Sequence, residues 1–126
     1  MTDPNPEKPA ASPAATPAAT PPGPSKRLAY LEKVTRDGTA DPFPWYGLAL
    51  EYRNLERYDE SLQTFTTLRA NHPGYVPMYL MCGQMLEKAG RTDDARAWLE
   101  AGIVAAGKAG DGHARGELES ALSTLA

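Results

Sequence analysis

The sequence predicts an all-α fold, a short solenoid of antiparallel helix pairs about six helices long. Three observations predict it. From residue 26 onward apolar residues recur at helical spacing, and no stretch alternates as a half-buried strand would. Glycine, proline and Asp-Gly breaks interrupt that pattern with short connections, which makes successive helices antiparallel neighbours. The pattern then repeats itself after 34 residues.

The first 24 residues stand apart from this pattern. "MTDPNPEKPAASPAATPAATPPGP" holds eight of the twelve prolines, six alanines and no aromatic, Leu, Ile or Val. Such a segment buries too little apolar surface to offset the roughly 1–2 kcal/mol per residue that backbone ordering costs. Residues 1–24 are therefore expected to form a disordered arm. The stretch 25–126 is long enough to fold alone as one domain of modest stability.

The elements follow in order. Helix one is expected from Lys26 to Arg36, with Ser25 as candidate N-cap, Leu28, Leu31 and Val34 on one face, and Asp37-Gly38 as its stop. Helix two starts near Pro44, whose missing N–H costs nothing in a first turn, and carries Trp45, Leu48, Ala49, Tyr52 and Leu55. Helix three, Tyr58 to Ala70, carries Leu62, Phe65 and Leu68 and breaks at "NHPGY". Helix four, Pro77 to Ala89, carries Tyr79, Cys82, Gly83 and Leu86 and ends at Gly90. Helix five, Asp93 to Ala106 with Thr92 as N-cap, carries Ala95, Trp98, Leu99 and Ile103. Helix six, Gly112 to Leu125, follows "GKAGDG" with Leu118, Leu122 and Leu125.

The repeat explains an oddity in "WYGLALEY", where Ala49 lies between the rings of Trp45 and Tyr52. A shift of 34 residues places Trp45 on Tyr79, Leu48 on Cys82, Ala49 on Gly83 and Tyr52 on Leu86. In the next helix Ser61 falls on Ala95 and Phe65 on Leu99, so large matches large and small matches small. Small residues let two helix backbones approach while the flanking rings lock around the crossing. Leu28, Leu31 and Val34 fall on Leu62, Phe65 and Leu68, a copy of the second helix of a pair alone.

This pattern resembles the tetratricopeptide repeat, W-x2-L-G-x2-Y, then A-x3-F, then P. The first copy reads "WYGLALEY", "SLQTF" and Pro73; the second reads "YLMCGQML", "ARAWL" and Gly107 in place of proline. Ala49 and Ser61 replace the family's Gly and Ala, both still small. With Gly107 there, helix five can run past Ala106. The resemblance implies a right-handed α-solenoid: a half-repeat over 25–41, repeats over 42–75 and 76–109, and a capping helix over 110–126. The leucines of that last helix fit the repeat only if the connection before it is about two residues longer.

Chemistry-bearing residues are sparse. Net charge is −3, of which the arm carries −1 and residues 25–126 carry −2, no signature of a nucleic-acid binder. A single cysteine, Cys82, excludes an internal disulfide framework and a cysteine-based zinc site. His72 and His113 have no metal-ligand neighbours at suitable spacing, and Cys82 occupies a core position with no basic neighbour at helical spacing. Asp59-Glu60 and Asp93-Asp94 open helices, where negative charge suits the helix dipole. Lys26, Arg27, Lys33 and Arg36 make helix one basic, read as a solvated outer face. Met78, Met81 and Met85 form a stripe read as core rather than as a peptide groove. No phosphate loop, nucleophile–base pair or metal cluster appears, so no enzyme activity, cofactor or metal is expected. No secretory leader and no apolar run of about 20 residues is present, so a cytoplasmic protein without membrane association is expected.

The resemblance also implies a function. In this family the first helices of successive pairs line a concave groove. The positions here are Tyr46, Leu50 and Arg53 on helix two and Leu80, Met81, Gln84, Glu87 and Lys88 on helix four. One subset of the family grips a C-terminal carboxylate with Lys and Asn at such places. This chain has Tyr46, Gly47, Leu50 and Met81 there, so that activity is not carried over. The expectation is a non-catalytic interaction module that takes an apolar or amphipathic peptide or helix of a partner protein. The alternative is a scaffold unit that self-associates.

Overall fold

The computed structural model describes residues 26–125; the arm of residues 1–24 and the candidate cap Ser25 lie outside the described residues. Among the described residues there are six helices and no strand. They are α1 (Lys26–Arg36), α2 (Pro42–Asn54), α3 (Tyr58–Asn71), α4 (Pro77–Lys88), α5 (Thr92–Ala109) and α6 (Gly112–Ser123). The chain divides into two compact units between Gly38 and Thr39.

In the first unit α1 covers the predicted residues. Leu28, Leu31 and Thr35 are buried, and the Thr35 hydroxyl donates back to the Leu31 carbonyl at 2.8 Å. The basic side chains of Lys26, Lys33 and Arg36 are exposed, and Lys33 pairs with Asp37 at 2.8 Å. Gly38 ends the helix in the left-handed region, φ +91°.

In the second unit α2 starts earlier than expected. Asp41 caps it by accepting from the Phe43 N–H at 3.0 Å, so Pro42 rather than Pro44 opens the first turn. At the start of α3, Arg57 makes a two-pronged pair with Glu60, both contacts 2.6 Å. At the start of α5, Arg91 pairs with Asp94 at 3.1 Å. Arg57 and Arg91 are repeat equivalents, and the second displaces Thr92 from the expected capping role into the first helical position. Helix α5 runs on to Ala109, because Gly107 keeps the N–H that a proline would remove, and Gly110 stops it at φ +69°. The turn after α4 uses Gly90 at φ +81°, whereas its equivalent after α2 puts Glu56 at φ +59°.

The pairs α2–α3, α4–α5 and α5–α6 pack most closely, and α4 adjoins both α2 and α6, so that the three form one layer. Helices α3 and α5 do not approach backbone to backbone; the rings of Phe65 and Trp98 span that gap edge-on at 6.4 Å. Small residues sit at the crossings. The Ser61 hydroxyl, fully buried, donates to the Ala49 carbonyl at 2.8 Å. A Cβ on Gly83 would lie 2.6 Å from Leu99 Cδ2. The tightest crossing is at Gly102, whose Cβ would meet Tyr79 Cβ at 2.5 Å and Leu118 Cδ2 at 2.9 Å.

The core is that of the repeat pattern with one exception. Leu55, expected on the apolar face of α2, is 41% exposed because it sits at the helix C-cap beside the left-handed Glu56. Met78 and Met85 are buried and Met81 is half-buried, so the methionine stripe is mainly core. Leu118 of α6 is buried, with Leu122 and Leu125 packed partly against the same core.

Candidate functional site

The face formed by α2, α4 and α6 carries the positions singled out by the repeat. Tyr46 is half-buried, its ring 5.3 Å from that of Tyr75, which precedes α4. Burial, then the neighbouring Tyr75, pushes the Tyr46 hydroxyl pKa above its ordinary value. Leu50, Leu80 and Met81 are also half-buried and rest on the core. Arg53 bridges the first helices of the two repeats: its guanidinium donates to Met81 Sδ at 3.3 Å and to Asn54 Oδ1 at 3.2 Å.

Two cavities open on this face. One, about 510 Å³, lies between the ends of α2 and α4 and is lined by Arg53, Gln84 and Lys88 together with Asn54, Glu56 and Tyr58. The other, about 620 Å³, lies between α4 and α6 and is lined by Leu80 and Gln84 facing Gly112, Gly116 and Ser120. Gln84 is common to both. The structure thus gathers Arg53, Leu80, Gln84 and Lys88 around open space. Tyr46, Leu50, Met81 and Glu87 line neither cavity.

Sequence reasoning missed the α6 wall and Tyr75. The wall was hidden because α6 departs from the 34-residue register; a two-residue longer connection, which α5 supplies by its extension, aligns Leu118 with Cys82. Tyr75 lies in a loop, where helical periodicity gives no signal.

The remaining candidates have structural roles. Cys82 is fully buried, and burial pushes its thiol well above the ordinary thiol range, so the thiolate is not formed near neutrality. His72 closes α3, its N–H bonded to the Leu68 carbonyl at 2.7 Å. His113 is exposed beside Glu117 at 3.5 Å. Asp59, Glu60, Asp93 and Asp94 all fall in first helical turns. Among the described residues no group of three His, Cys, Asp or Glu could hold a metal ion, and no helix is long and apolar enough to cross a membrane.

A 34-residue helix pair with small residues at each crossing defines a class of repeat protein, and comparison with known proteins supplies the family. No protein-family model and no curated protein matches the chain. Among solved structures it is similar to a tetratricopeptide repeat domain protein from Salinibacter ruber in solution, with 34% identity, TM-score 0.62, and 66% of this chain and 84% of that one covered. A crystal structure of such a protein from the same organism gives 34% identity and TM-score 0.60 over 66% and 92% of the two chains. A protein from Bordetella parapertussis is similar at 26% identity and TM-score 0.66 over 76% and 84%. The chain belongs to the tetratricopeptide repeat family.

Proposed function

We propose that this protein is a non-catalytic interaction module of the cytoplasm that receives a peptide or helix of a partner protein on the α2–α4–α6 face. The observation that carries the reading is the pair of cavities meeting at Gln84, floored by the half-buried Leu80 and edged by Arg53 and Lys88. Such a floor suits an apolar or amphipathic segment, and its rim supplies polar contacts. With two full repeats the contact area is small, so affinity of about micromolar, about −8 kcal/mol, is the expected scale. Self-association through the end of the stack is the weaker reading. The outer side of α6 carries the exposed Arg115–Glu119 pair at 3.3 Å, a charged surface that a second copy would have to desolvate.

A test should leave the fold intact. Truncating Tyr46 and Leu50 would not, since the Tyr46 ring packs at a tilt against that of Tyr75 and both side chains pack on the core. Gly116 is better: a Cβ there meets nothing within 4 Å, so Gly116→Leu leaves the backbone unhindered beside the α4–α6 cavity that Gly116 lines. In affinity capture the wild type is expected to retain the partner and the variant to lose it, while the variant's melting is unchanged or raised. Undiminished capture would place the binding surface elsewhere.

A further inference from the structure

A third cavity, about 610 Å³, lies within the second unit, in the gap between α3 and α5. Its floor is apolar: Ala101, Val104 and Ala105 on α5 and the inner edge of Tyr79. Val104 is 59% exposed, a large aliphatic side chain left uncovered on a helix face. Two cations stand over this floor, Arg69 and Lys108.

Each cation is placed by something specific. The Arg69 guanidinium carbon sits 4.9 Å from the Trp98 ring centre and 5.5 Å from that of Tyr79, and a hydrogen bond to the Tyr79 side chain takes part of its donor set, leaving the rest of its five N–H groups for a carboxylate. Lys108 exists on a helix only because α5 continues past Gly107; it then stands at i+4 from Val104 and i+7 from Ala101. Neither cation pairs with a carboxylate among the described residues, and no acid lines the cavity. Of the nearby acids, Asp111 caps α6 through the Ala114 N–H at 3.0 Å, and Glu100 lies outside the lining.

We infer that the α3–α5 cleft is a second docking surface, for a short acidic–apolar segment of a partner protein. An aliphatic side chain of that segment covers Val104 and Ala101, and a neighbouring carboxylate sits between Arg69 and Lys108. Both cations also lie in last helical turns, where they oppose the helix dipole. That role alone asks for no ligand, and the experiment separates the two.

The full chain, labelled with ¹⁵N, is titrated with the blocked hexapeptide acetyl-Ala-Leu-Glu-Asp-Leu-Ala-amide and with its Gln/Asn counterpart. Docking shifts the amides of Ala101, Val104, Ala105 and Lys108 with the acidic peptide, and the neutral one binds several-fold more weakly. Lys108→Gln, at an exposed position, weakens the acidic peptide about two- to fivefold, the scale of a surface ion pair. Arg69→Gln weakens it further if that variant stays folded; Lys108→Gln decides the matter if it does not. Absence of shifts at these amides, equal binding of the two peptides, or a Lys108→Gln variant with lowered melting and unchanged affinity would each overturn the inference.

Discussion

Three glycine-to-alanine substitutions on neighbouring helices should differ in sign and size. At Gly116 an added Cβ meets nothing within 4 Å, so only helix propensity acts, and Gly116→Ala should stabilise by about 0.5–1 kcal/mol. At Gly83 the new methyl would lie 2.6 Å from Leu99 Cδ2 and 2.7 Å from Leu99 Cγ. Leu99 is fully buried and its branch carbon, not only its tip, stands in the way, so the overpacking offsets or exceeds the propensity gain and the net loss should reach at most about 2 kcal/mol. At Gly102 the clash is with Tyr79 Cβ at 2.5 Å, an atom fixed to the α4 backbone, and Leu118 closes the other side at 2.9 Å. Relief there requires α4 and α5 to separate. Overpacking of about 1–3 kcal/mol less the propensity gain of about 0.5–1 kcal/mol leaves a loss of up to about 2.5 kcal/mol. For a domain of this size that is a fall in melting temperature of up to roughly 20 °C, since each kcal/mol moves it about 4–8 °C. Urea titration followed by circular dichroism gives the three free energies. If Gly102→Ala is as stable as Gly116→Ala, helices α4 and α5 do not touch where the structure puts them, and the crossing argument fails.

Further expectations follow from the turns and from buried groups. Glu56 adopts the left-handed conformation that its equivalent Gly90 takes without strain, so Glu56→Gly should stabilise by about 0.5–1 kcal/mol in the same urea experiment. The hydrogen bond from Arg57 lowers the Glu60 pKa below its ordinary 4.5, so this contribution is present above that value and is lost as pH falls through the folded pKa. Both side chains are part exposed, so the effect is below about 1 kcal/mol; Glu60→Gln should flatten that share of the acid-side stability curve, and an unchanged curve would deny the pair any role. Cys82, buried with its thiol kept protonated, should react with a thiol reagent only at the rate of unfolding, so modification should speed up with urea.

The repeat made the crossings legible because it compares a residue with its own counterpart. Ala49 against Gly83 and Ser61 against Ala95 announced small contacts that the coordinates place between helices. The same comparison sets Leu68 against Gly102, a large residue against the smallest. Nothing in a single chain says that this mismatch is the tightest contact, since Leu118 and Tyr79 converge there only in three dimensions. Helix ends were legible where glycine or proline marks them. They were missed at Asp41, where a capping carboxylate lies three residues before the more conspicuous Pro44, and at Arg91, where a guanidinium–carboxylate pair replaces the hydroxyl cap that Thr92 suggested. On the α2–α4–α6 face, the resemblance to the repeat family singled out eight positions, of which Arg53, Leu80, Gln84 and Lys88 border open space. It could not see that Tyr46 spends its ring on Tyr75, or that the small residues of α6 wall the larger cavity.

Photo-crosslinking from single positions tests most directly where a partner binds. A benzophenone side chain introduced at Gln84, which borders both cavities, is compared with one at Gln63, exposed on α3. Irradiation in native lysate is expected to join one discrete partner at position 84 and nothing at position 63. Adducts formed equally at both positions, or only at 63, would contradict a partner seated on the α2–α4–α6 face.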